Sequence, residues 1–67
     1  MKLYELLLMN DSWDGMTILN IYLDSITLNL HCIDLAEKNI SILGKSLMCY
    51  EVDFFNNCSV TLKGLDG

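Results

Sequence analysis

The chain reads as a small α+β domain: an antiparallel β-meander of about five strands with one short helix, the alternative being an all-β small sandwich or barrel. Three observations predict it. Apolar and polar residues alternate in several short runs, turn-forming residues separate those runs, and one stretch after the third run carries helix caps at both ends. The 67 residues make a single domain, 1–67, with no proline and no low-complexity linker.

Residues 2–9 are nearly all apolar and are bounded by the turn-rich stretch 10–15, so length and boundary point to a first strand. Asp14-Gly15 is a favourable turn dipeptide. A second strand follows over residues 16–23, and pairing Met9 with Met16 sets Leu8, Leu6 and Tyr4 opposite Thr17, Leu19 and Ile21. The other face of that hairpin carries Leu3, Leu7, Met9, Ile18 and Tyr22, diluted by Glu5 and Asn20. It needs a cover. A third strand follows the Asp24-Ser25 turn, because Ile26, Leu28, Leu30 and Cys32 alternate with Thr27, Asn29 and His31.

Residues 33–44 fit a helix, with Asp34 as N-cap, an apolar stripe of Ile33, Ala36, Ile40 and Leu43, and Gly44 just past the end. They also fit a strand pair, with a turn over residues 36–39 and Ile40-Ser41-Ile42 as a return strand. The helix is the preferred reading. In the last third, Tyr50, Val52 and Phe54 alternate with Cys49, Glu51 and Asp53, and Cys58, Val60 and Leu62 with Ser59, Thr61 and Lys63. A two-residue Asn56-Asn57 loop sets every apolar side chain opposite a polar one. A three-residue loop, Phe55-Asn56-Asn57, pairs Phe54 with Cys58, Val52 with Val60 and Tyr50 with Leu62, with Asn57 in the left-handed conformation.

A chain this short buries only about 60% of its unfolded surface, yet 52% of its residues are hydrophobic. Self-association or a protein partner would absorb the excess. Nine acids against four lysines, with no arginine, give a formal charge of −5, which disfavours nucleic acid and anionic membrane as direct partners. Met1-Lys2-Leu3 opens like a secretion signal, but Glu5 interrupts the run and no small-residue cleavage site follows. Three cysteines, an odd number, fit reduced thiols, and the expected location is the cytoplasm.

No motif names a chemistry. Asn10, Ser12, Asp14 and Gly15 match the start of a calcium loop, but Ile21 stands where the bidentate glutamate belongs. His31, Cys32, Cys49 and Cys58 number the four ligands of a structural zinc, without a Cys-x-x-Cys knuckle to hold one. They read more simply as thiols in an apolar sheet and a solvated histidine. A Cys49/His31 dyad and the Glu51/Asp53 pair lack any feature that positions them, so no catalytic residue, metal or cofactor is assigned. The expectation is a non-enzymatic protein–protein interaction module, homo-oligomeric, with Leu3, Leu7, Trp13, Ile18 and Tyr22 at its interface. The alternative is a phage or mobile-element inhibitor whose acidic surface, Asp11, Asp14, Glu51 and Asp53, blocks a basic nucleic-acid-binding site on an enzyme.

Overall fold

The computed structural model describes residues 1–64. It contains helix α1 (Leu3–Met9), strands β1 (Ile18–Leu23) and β2 (Ile26–His31), helix α2 (Cys32–Glu37), a small hairpin of β3 (Ser41–Ile42) and β4 (Lys45–Ser46), a 3₁₀ turn (Leu47–Cys49), and strands β5 (Val52–Phe55) and β6 (Ser59–Leu62). The class is α+β. Its main sheet has the order β2-β1-β6-β5. Two antiparallel hairpins, β1–β2 and β5–β6, are joined by a parallel pairing of β1 with β6, so the sheet is mixed rather than a pure meander.

One face of this sheet holds the core. Leu19, Ile21 and Leu23 of β1 lie beside Val60 and Leu62 of β6, with Ile21 opposite Val60 and Leu23 opposite Leu62, and all five are buried. Leu3 and Leu6 of α1, Cys32 and Leu35 of α2, Leu47 and Tyr50 complete the cluster. Tyr50 is 1% exposed, and its hydroxyl donates to the Ile42 carbonyl at 2.7 Å, so its polar end is satisfied while its ring fills the core. The Lys45 ammonium stands 4.8 Å from the centre of that ring.

Residues 3–9 form a helix, with Lys2 as its extended N-cap, which overturns the expected first strand and its pairing of Met9 with Met16. Leu3, Leu6 and Leu7 fall on one stripe at helical spacing, with Leu3 and Leu6 buried and Leu7 half-buried. The Glu5 carboxylate accepts the Lys2 amide at 2.9 Å, satisfying a donor at the helix start. The segment contains no β-branched residue, and leucine, methionine and glutamate are good helix formers. Its uniform apolarity hides the helical period, because Tyr4, Leu8 and Met9 on the exposed side are apolar too.

The second hairpin keeps Val52, Val60 and Leu62 on the core side but in a different register. Val52 pairs with Leu62, Phe54 with Thr61 and Phe55 with Val60, leaving Asp53 as a bulged extra residue. The bulge reverses the faces beyond it. Phe54 points to the outer side, Phe55 shares the side of Val60, and Cys58 is exposed in the turn. The loop is set by Asn56, whose side-chain oxygen accepts from the Cys58 and Ser59 amides, both at 3.0 Å. Asn57 is not left-handed: among the described residues only Asp24 and Leu43 are non-glycines with positive φ.

Both readings of residues 33–44 capture half of what forms. α2 takes the first part, starting at Cys32 rather than at an Asp34 cap, and β-prone Ser41–Ile42 becomes a strand paired with Lys45–Ser46. Leu43 and Gly44 make the tip with φ of 53° and 79°, a two-residue hairpin loop with both residues left-handed. Gly44 is therefore a hairpin residue and not a helix cap.

Candidate interaction surface

The register of the main sheet decides which side chains face away from the core. On β1 these are Ile18, Asn20 and Tyr22, opposite His31, Asn29 and Thr27 of β2. Across β6 the row continues from Tyr22 to Thr61 and on to Phe54 of β5. The helices pack on the opposite side, and Ile18 (53% exposed), Tyr22 (39%) and Phe54 (59%) lie open. The polar part of this face is ordered by a side-chain bond, the Asn29 Nδ2 amide donating to the Asn20 Oδ1 oxygen. Apolar side chains on an uncovered sheet face are the usual composition of a contact surface.

Of the residues expected at an interface, Leu3 is fully buried in the core and is excluded from any exposed patch. It sits on α1 rather than on a hairpin shared with Ile18 and Tyr22, so the five do not form one face. Ile18 and Tyr22 do share the open face. Leu7 lines a separate groove of about 270 Å³, together with Trp13, Gly15, Cys32, Ile33 and Ala36. Trp13 is folded back: its indole N–H donates to the Asn57 carbonyl at 2.9 Å and its ring meets Phe55 edge-on, centroids 6.2 Å apart. Phe54 was missed because strict alternation places it inward. Only the bulge at Asp53 turns it out.

The acidic residues are exposed but are not equivalent. The Asp14 carboxylate accepts from the Met16 amide at 2.9 Å and from the Thr17 hydroxyl at 3.2 Å, so it shapes its own turn. Glu51 accepts from the N-terminal ammonium at 3.1 Å, and that bond and charge, with Lys2 and Lys63 adding, hold its carboxyl below the usual range. Asp53 occupies the bulge, and Asp11 lies in the loop before Trp13.

The soft ligands are dispersed over separate elements. Cys32 is buried at the start of α2, Cys49 is half-buried in the 3₁₀ turn and Cys58 is exposed. His31 stands 3.8 Å from Asp34, which also meets Lys38 at 3.6 Å. Burial pushes the Cys32 thiol above its ordinary value, and nearby Asp14 adds to the rise. Such a thiol is a poor nucleophile. Among the described residues no three histidine, cysteine or acidic side chains converge as a metal site, and no helix is long and apolar enough to cross a membrane. Protein-family models, curated proteins and solved structures yield no match to this chain.

Proposed function

We propose that this chain is a non-enzymatic protein–protein interaction module, working in the cytoplasm, that buries its open sheet face or edge against a protein, with a second copy of itself as the first candidate. The observation that carries the reading is the set Ile18, Tyr22 and Phe54, large apolar side chains exposed on one face of a four-stranded sheet. A sheet face of that composition is stabilised by removal from water, at about 25 cal/mol per Å² of apolar area. Sedimentation of the full chain over a range of concentrations tests self-association, with Ile18→Asp and Phe54→Asp as variants that charge the face without entering the core. Weakened association in folded variants supports the reading. Unchanged association in both variants moves the contact off this face.

The rival reading, a small acidic inhibitor of the sort phages carry, draws on the charge of −5 and on exposed Asp11 and Asp53. Its mark is binding that weakens steeply with salt. Docking through apolar surface is far less sensitive to salt.

A further inference from the structure

The main sheet has two edges, and they are built differently. The β5 edge is protected three ways. The segment before α1 bridges it, with Lys2 opposite Glu51, the Val52 amide donating to the Met1 carbonyl at 2.8 Å and the Leu3 amide to the Tyr50 carbonyl at 3.0 Å. Asp53 bulges from it, and two carboxylates, Glu51 and Asp53, stand along it. Cover, bulge and charge are the devices by which sheets avoid pairing with other chains.

Among the described residues the β2 edge has none of these. Ile26–His31 pairs with β1 over all six positions without a register shift, and it contains no proline, lysine or acid. The Cys32 amide donates to the Thr17 carbonyl at 2.9 Å, which fixes the alternation of the ladder: Ile26, Leu28 and Leu30 turn their backbone groups to β1. The amides and carbonyls of Thr27 and Asn29 therefore point away from the sheet, as does the His31 amide. No group among the described residues bonds to them. The side chains of Ile26, Leu28 and Leu30, on the core side, are only half-buried because the sheet stops there.

We infer that β2 pairs antiparallel with β2 of a second copy about a two-fold axis at Leu28, joining two four-stranded sheets into one continuous sheet. This rests only on the self-association in the reading above and places that contact at the sheet edge in place of the open face. A second copy is favoured because the strand is complementary to itself. In that register Thr27 of each copy faces Asn29 of the other and exchanges both backbone bonds. On the core side Leu28 meets Leu28, and Ile26 meets Leu30, so the half-buried row becomes continuous. The register stops short of His31, whose carbonyl caps α2 and is not free. The charge distribution agrees: a chain of net charge −5 approaches its copy along the strand that carries no acid, whereas pairing through β5 would bring Glu51 and Asp53 together.

The test combines sedimentation with amide hydrogen exchange on the wild-type chain. Expected are a dimer at high concentration and amides of Thr27 and Asn29 that become protected as the dimer forms, while Leu28, bonded within the sheet, is protected in monomer and dimer alike. Thr27→Pro removes an outward amide that the monomer does not use, and Thr27→Lys places a charge on the edge. Both should remain folded by circular dichroism and sediment as monomers. A wild-type monomer at every concentration overturns the inference. So does a dimer in which Thr27 and Asn29 exchange freely, or one that survives both Thr27 variants but is lost in Ile18→Asp. Those last two results leave the interaction reading standing and end the edge pairing alone.

Discussion

The indole N–H of Trp13 donates to the main-chain carbonyl of Asn57, 44 residues further along the chain, at 2.9 Å. The bond ties the loop after α1 to the turn of the β5–β6 hairpin, and the ring rests edge-on against Phe55. Replacing Trp13 by Phe keeps an aromatic contact and removes the hydrogen bond, so the chain should lose about 1 kcal/mol of stability. Trp13→Ala should cost roughly 2 kcal/mol or more, less than a fully buried aromatic because the ring is half-exposed. Urea denaturation of the three chains measures both steps.

Tyr50 ties the core to the β3–β4 hairpin, with a buried ring and a hydroxyl that donates to the Ile42 carbonyl. Tyr50→Phe should destabilise by about 1 kcal/mol, because the Ile42 carbonyl loses its partner. Tyr50→Ala should cost about 3–5 kcal/mol, the range for emptying a buried aromatic site, and should unfold a marginal domain of this size. Thermal melts followed by far-ultraviolet circular dichroism distinguish the two.

Leu43 is held at φ 53° at an exposed hairpin tip, where its side chain contributes no core packing. A left-handed leucine carries a cost of about 1–2 kcal/mol that asparagine partly escapes by local hydrogen bonding. Leu43→Asn should therefore stabilise the chain by about 1 kcal/mol and remove an exposed apolar residue. An unchanged or lower denaturation midpoint would contradict the conformation described for this tip.

The thiols should react in order of exposure, Cys58 before Cys49 before Cys32, when the folded chain meets an alkylating reagent. Cys32 also couples stability to pH. Its folded pKa is raised, so the folded state prefers the neutral thiol; that contribution is fully present below the unfolded value and is lost as pH rises through the raised one. Denaturation midpoints should fall as pH climbs above about 9, the region where a free thiol ionises. The fall should be smaller in Cys32→Ala, which has no thiol to ionise there.

The elements differ in how plainly the sequence writes them. β1 was readable because the turn residues Asp14-Gly15 and Asp24-Ser25 bound it, and β2 because Ile26–His31 alternates strictly. The inward side of β6 was readable for the same reason. α1 was misread because its exposed positions are apolar; the missing β-branched residues and the Glu5 cap were the usable signals. Of the surface, Ile18 and Tyr22 were found by alternation, while Leu3 was lost with the strand that was to carry it.

Local periodicity thus determines, by itself, which faces of β2 and β6 are apolar, since a two-residue repeat is written in each of those strands alone. It does not determine which hairpin lies beside which. The parallel pairing of β1 with β6 joins residues about forty positions apart, and the bulge at Asp53 follows from fitting Phe55 rather than Phe54 beside Val60 and Trp13. Those choices depend on packing among distant segments, which only the assembled core decides.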